Sequence, residues 1–297
     1  MRSNMSISRK LFVSGNYVFL TLLAVLCLLP LVHVLALSFS SSSAAGTGLV
    51  RFWPVDMTLS SYRFVLDKPE FLLSMGVTVK RVLLGASFNM LLIILVAYPL
   101  SKETKAFRLR TPLAWYFVFT MLFSGGLIPL YMTVRNTGML DSLWGLIFPT
   151  WGMGTNIFNI VLMLNFFRGL PKELEESGVV DGAGHWTVCW KIIVPLSLPV
   201  LATVALFTIV YHWNSWFDGL IFMNRTEHYP LSTYLQTILV QDQLANVNAQ
   251  DLASLQEVSD RTAKAAQIFI GSLPILLVYP FLQRFFIKGI VMGSVKG

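Results

Sequence analysis

Fifteen carboxylates, four histidines and two cysteines are the groups in this 297-residue chain able to do acid–base, nucleophilic or metal chemistry. Their spacing supports none of the three. His33, His185, His212 and His228 show no metal-ligand spacing. No Gly-x-x-x-x-Gly-Lys-Ser/Thr phosphate loop is present, so the chain offers no Walker-type ATP site of its own. Cys27 lies in an apolar run and Cys189 in a polar one, which argues against a disulfide framework. No nucleophile–base constellation marks an enzyme, and no pair of carboxylates sits inside an apolar run as a proton relay would require. What remains is one polar island, residues 170–195, where Glu173, Glu175, Glu176 and Asp181 crowd together between long apolar stretches.

That island reads as a short helix, a turn and a second short helix. Pro171 suits a first helical position, where its missing N–H would have had no partner. The three glutamates then fall in the opening turns and complement the helix dipole. Leu174, Gly178 and Val180 share roughly one face, and Asp181-Gly182 is a stop-and-turn signal. A second segment, 186–193, ends at Pro195. Both pieces are too short and too polar to cross a bilayer, so the island lies at a membrane surface.

The spacing within the island resembles the cytoplasmic signature of permease subunits of ATP-binding-cassette importers. That signature is Glu-Ala-Ala, three residues, Gly, nine residues, Ile-x-Leu-Pro. Here Glu176-Ser177-Gly178, Gly182 and Ile192-Ile193-Val194-Pro195 keep both intervals, with Ser177, Gly178 and Val194 departing in residue type. Glycine at 178 lowers helix propensity at that turn. Over most of its length, and in the tail's Gly-x-Val-Lys-Gly, the chain is similar to the MalG-type permeases of carbohydrate importers. Phe123–Pro129 and Trp213–Asp218 resemble the subgroup serving complex saccharides, which includes LplC, YtcP and the second permease of the alginate importer.

The composition fits a membrane setting: 55% hydrophobic and 12% charged, against roughly 25% charged in soluble domains. The fold class expected is an all-α integral membrane protein with six transmembrane helices, the type I importer permease fold with a cytoplasmic coupling helix. Residues 1–16 form a basic N-terminus and 17–290 the permease domain. Apolar runs of about the ~20 residues a bilayer needs place spans at 17–37, 80–100, 112–134, 143–167, 196–223 and 265–287. The first is longer than the ~7–15 residues of a signal peptide's apolar region and is read as a retained helix. Residues 38–48 read as a Ser/Ala/Gly linker, 49–70 as a polar loop, 224–264 as a long polar outer loop, and 291–297 as a tail. Thirteen of the 22 Lys and Arg residues fall on the side of the termini and the 170–195 island, including Lys102, Lys105, Arg108 and Arg110. Nine fall on the other side in longer loops, which puts both termini and the island in the cytoplasm. The net charge of +7 then matches basic loops beside anionic headgroups.

The resemblance implies a site without catalysis. Glu176, Ser177, Gly178, Asp181, Gly182, Ala183 and Pro195 become the ATPase-coupling set, and Ser294–Gly297 a tail reaching the ATPase interface. It implies a second related permease, two ATPase subunits holding ATP and Mg, an extracytoplasmic solute-binding protein, and no cofactor on this chain. Tyr211, His212, Trp213, Asn214, Trp216 and Asp218 suit a sugar pathway of stacking rings and hydrogen-bonding groups. They equally suit an interfacial aromatic belt with Asp218 marking the end of a span. Lys80 and Arg81, with Arg135 and Arg225, would give the outer mouth a field favouring an anionic saccharide such as alginate, or snorkel at a helix end. The expected function is import of oligo- or polysaccharide across a bacterial inner membrane. A permease for a non-sugar solute and an ion-coupled secondary transporter are the alternatives.

Overall fold

The structure is a computed structural model that describes residues 7–149, 155–245 and 253–294. Regular structure there is helical: α1 (Ile7–Ser38), α2 (Ser42–Gly46), α3 (Ser60–Leu66), α4 (Pro69–Ser101), α5 (Arg110–Leu122), α6 (Leu127–Asn136) and α7 (Leu143–Ile147). Then come α8 (Thr155–Gly169), α9 (Glu173–Val180) and α10 (His185–Val188), which passes through a π-turn (Cys189–Ile193) into α11 (Val194–Leu196). α12 (Leu198–Asn214), α13 (Phe217–Phe222), α14 (Leu231–Ala245) and α15 (Ala253–Ser294) complete the order. The chain divides into two compact units, Met1–Pro69 with Leu239–Ser272 and Glu70–Ile238 with Leu273–Gly297.

Three helices among the described residues are long and apolar enough to cross a membrane: Ile7–Ser38, Pro69–Ser101 and Arg261–Phe281. In α1 the apolar window has no buried residue. Burying a Leu, Val or Phe side chain is worth about 1.5–3 kcal/mol, so a helix this apolar and this bare belongs against lipid rather than water. It starts at Ile7 and absorbs part of the expected N-terminal segment.

Two expected spans are bent rather than continuous. Residues 112–134 divide into α5 and α6, which meet at 114°. Gly126, at φ +87°, caps α6 in a conformation that side-chain-bearing residues avoid. Residues 196–223 also split. α12 is set at 83° to the preceding 185–196 segment, because Pro199 supplies no N–H to continue the ladder across Ser197. Beyond α12 the backbone at Ser215 is extended and α13 begins again at Phe217. Counting each bent pair as one span gives five. The run 143–167 is met by α7 and the 15-residue α8, with 150–154 outside the described residues.

Two expected loops are structured. Residues 38–70 form a small knot in the first unit, with Ala36, Ala44 and Val50 at its core. Its serines serve backbone needs. Ser41 Oγ accepts from Ala44 N–H at the start of α2, and Ser40 Oγ donates to the Ala36 carbonyl while accepting from Val55 N–H. Short hydroxyl side chains that cap turns read compositionally as linker. Residues 224–264 contain α14 and the beginning of α15.

The second unit has a core of its own. Ile93, Ala97 and Tyr98 of α4, Ile160 and Met163 of α8, and Val200 and Val204 of α12 form one cluster with Val188, Cys189 and Ile193. The polar island therefore rests its second half directly on the membrane-helix core.

Candidate functional site

α9 occupies the first half of the island. Glu173, Glu175 and Glu176 stand in its first turn, matching negative charge to the positive helix end. Its C-terminus closes as a Schellman motif. Ala183 N–H donates to the Gly178 carbonyl at 2.9 Å and Gly182 N–H to the Val179 carbonyl at 3.0 Å, with Gly182 at φ +81°. Gly178 is buried, and a Cβ there would stand 2.7 Å from Ile192 Cδ1. The propensity lost at that position is offset by a close approach of α9 to the π-turn.

The opposite face of α9 is open. Glu176, Ser177, Asp181 and Gly182 are exposed, and Val180 is 86% exposed beside a half-exposed Val179. Ala183 is partly buried against the core, and Pro195 is exposed. A two-turn helix stable only through its buried side, presenting carboxylate and bare valine outward, is a surface built to be covered.

Ion pairs tie α9 and its entry to the segment after α4. Lys102 pairs with Glu175, and Lys172 with Glu103. Lys102 Nζ also lies 4.0 Å above the Tyr98 ring. The hydrogen bond and charge of Lys172 hold the Glu103 carboxyl below its ordinary range, with Lys105 and Arg110 adding to the effect. Glu103 raises Lys172 in return. These contacts span about seventy residues, |i−j| being 73 and 69, and no local spacing announces them.

A second polar assembly lies inside the unit. Arg81 of α4 is 0% exposed and forms an ion pair with Asp218 of α13. Arg81 Nη1 also donates to the Ser215 carbonyl at 3.1 Å. Asp218 Oδ1 accepts from Ser215 Oγ and from Gly219 N–H, each at 2.9 Å. Ser232 and Thr233 of α14 donate to the Ser215 and Trp216 carbonyls. About two turns along α4, Asn89 Nδ2 lies 2.9 Å from His212 Nε2, and a Cβ on Gly85, one turn along, would stand 2.6 Å from that nitrogen. His212 is 0% exposed.

These positions correct one expectation. Arg81 is no free outer-mouth cation, because Asp218 neutralises it in the interior, whereas its neighbour Lys80 is exposed. Asp218 lies just beyond the end of α12 and is the acceptor that stitches the α12–α13 break to α4. Of the aromatic stretch, His212 and Trp213 are buried, Tyr211 is half-buried, and Asn214 and Trp216 are exposed. The structure thus brings Arg81, His212 and Asp218 together along α4 and leaves Lys80, Asn214 and Trp216 on the surface.

Sequence spacing gave no sign of a third cluster. Asp141, at φ +56°, accepts from Arg225 Nε at 2.6 Å and from the N–H groups of Asn224 and Arg225, and lies 2.9 Å from His228 Nδ1. Partial burial pushes its carboxyl up, but the bonds from Arg225, His228 and the backbone outweigh that and hold it well below the carboxylate range. Arg225, expected at the outer mouth, is consequently charge-compensated. Arg135 is exposed. Ser294 ends α15, and residues 295–297 of the tail lie outside the described residues.

A helical permease core with a capped, outward-facing surface helix defines a class, and the comparisons agree with it. Residues 90–292 match the family described as binding-protein-dependent transport system inner membrane component. The chain belongs to that family, whose members are non-catalytic inner-membrane components of transport systems. It is 36% identical to the polygalacturonan/rhamnogalacturonan transport system permease protein YtcP of Bacillus subtilis (strain 168), over 97% of this chain and 99% of that one. It is 38% identical to protein LplC of the same organism, over 97% and 96%. A chain of a bacterial ABC transporter involved in import of the acidic polysaccharide alginate superposes with a TM-score of 0.81 at 31% identity, covering 95% of this chain and 99% of that one.

Proposed function

We propose that this chain forms half of the translocation pore of an ATP-driven importer of polysaccharide, with acidic polymers as the substrate class. α9 carries the reading: a Schellman-capped helix at the signature spacing, anchored on the core by Gly178 and Ala183 and bare on the face of Glu176 and Val180. An ATPase subunit covers that face, and Glu176, Ser177, Asp181 and Gly182 make the contact. Pro195 ends the segment that carries the movement into α12. The assembly holds a second, related permease, two ATPase subunits that bind ATP and Mg, and an extracytoplasmic binding protein. This chain itself binds no cofactor, and both its termini face the cytoplasm.

The substrate class rests on the relatives, one named for polygalacturonan and one for alginate. Within this chain, Lys80, Asn214 and Trp216 are the accessible members of the expected pathway, alongside a half-buried Tyr211. ATP-driven closure of the ATPases moves α9, the helices rock as rigid bodies, and the pathway opens to a docked binding protein.

The test is purification through a tag on this chain, co-expressed with its genomic neighbours, as parent, Gly182→Trp and Glu176→Lys. The reading expects an ATPase and a second permease to co-purify with the parent and the ATPase to be lost from both variants. A chain that purifies alone, or variants that keep their ATPase in full, would overturn it.

A further inference from the structure

A groove of about 760 Å³ runs beside α9, and its charges do not balance. Five cations line it (Lys102, Lys105, Arg110, Arg168 and Lys172) against Glu103, Glu175 and Glu176. Lys102 is taken by Glu175 and Lys172 by Glu103, and Glu176 at the groove's exposed edge acts on Lys172, leaving five cations against three carboxylates. Lys105, Arg110 and Arg168 have no carboxylate within ion-pairing distance among the described residues. Instead both arginines donate to one oxygen, the Leu100 carbonyl, Arg110 Nε at 3.3 Å and Arg168 Nη2 at 3.1 Å.

Two guanidiniums converging on a neutral acceptor repel each other, and the arrangement is relieved by an anion between or beside them. Further positive potential comes from the start of α5. That helix has no side-chain cap, and its first residue is Arg110, where a cation adds to the positive end of the dipole instead of offsetting it.

The place of these residues selects the anion. Arg110 opens α5 and Arg168 stands in the last turn of α8, so both lie where membrane helices emerge from the bilayer. α5 buries none of its residues, and Leu109, Leu113 and Tyr116 extend an exposed apolar track away from Arg110. Phosphate against the arginines and acyl chain along that track is the shape of a phospholipid.

We propose that Lys105, Arg110 and Arg168 bind the phosphate of an anionic phospholipid of the cytoplasmic leaflet, immediately beside the coupling helix. This rests on the permease reading for which side of the membrane the groove faces. The lipid would fix the groove wall against which Lys102–Glu175 and Lys172–Glu103 hold α9, so coupling would depend on leaflet charge.

The test uses the complete transporter in nanodiscs of phosphatidylcholine with increasing phosphatidylglycerol. Lipids retained after mild delipidation are identified by native mass spectrometry, and ATP hydrolysis is followed in parallel. The expected result is selective retention of phosphatidylglycerol by the parent. Its preference should fall roughly fivefold for each cation removed in Arg110→Gln and Arg168→Gln, and hydrolysis should lose its dependence on phosphatidylglycerol. Lys105→Gln, an exposed position, gives a smaller loss in the same direction and serves if the arginine variants misassemble. Equal retention by parent and all variants overturns the proposal. So does full rescue by inorganic phosphate in phosphatidylcholine discs, which would make the site one for free anion. Loss of the ATPase from Arg110→Gln or Arg168→Gln with lipid unchanged also overturns it and assigns the groove to an acidic face of the ATPase. A parent that never captures an ATPase but still retains phosphatidylglycerol refutes the permease reading and leaves the lipid site standing.

Discussion

Arg81 and Asp218, 137 positions apart, form a buried ion pair that joins the middle of α4 to the first turn of α13. Both side chains are almost wholly withdrawn from solvent, at 0% and 7% exposure. Breaking such a pair strands the remaining charge, which typically costs about 3–5 kcal/mol, whereas removing both charges costs far less. Arg81→Gln and Asp218→Asn should each lower the thermal midpoint of the purified protein strongly. The double substitution should recover much of the loss, as read by a double-mutant cycle in thermal unfolding. Two additive losses would show that the charges do not depend on each other.

Gly85 should resist any side chain. A Cβ there meets His212 Nε2 at 2.6 Å, so Gly85→Ala must push the buried imidazole away from Asn89 or spread α4 from α12. Overpacking of this kind costs about 1–3 kcal/mol. Gly85→Val should be worse than Gly85→Ala, and His212→Ala should rescue part of either. Thermal unfolding of the four variants checks the order, and a neutral Gly85→Val would contradict the packing.

The Asp141 latch sets a pH dependence. Its carboxyl is held below the ordinary range, so it binds fewer protons folded than unfolded. The stability it gives is therefore present above its unfolded value of about 3.9 and lost as pH falls through the lower folded value. Asp141→Asn should be less stable than the parent from neutral pH down to about pH 4, with the gap closing only in more acid solution. A gap that vanishes near pH 6 would assign the effect to another group.

Coupling through α9 should show charge complementarity. Lys102→Glu and Glu175→Lys should each loosen α9 and reduce stimulated ATP hydrolysis. The two together should restore part of it, since the pair is then re-formed in reverse. High salt should weaken the restored pair as it does the native one, because both groups retain some exposure.

How much of this was legible varied with the range of the cause. Gly182 was readable as a turn because a Schellman cap is written in consecutive residues. The unbroken helices that cover 17–37 and 80–100 are readable because long apolar runs need no partner to declare themselves. The bends were only half-visible: Gly125-Gly126 and Pro129 mark an interruption, but not the 114° that follows. The serines at 38 and 40 resemble linker because their long-range bonds depend on where Tyr62 and Val55 come to lie. Arg81 and Asp218 each stand out in the sequence as charges beside apolar runs, yet their pairing is a tertiary fact that no periodicity encodes. The same holds for Lys102–Glu175 and for the shared bond of Arg110 and Arg168 to Leu100.

The most direct measurement is uptake of labelled oligogalacturonate into proteoliposomes holding this chain with its permease, ATPase and binding-protein partners. The account predicts uptake that requires ATP on the face of the coupling helix, ignores ionophores, and disappears with Gly182→Trp. Uptake driven by an ion gradient without nucleotide, or left intact by Gly182→Trp, would contradict it.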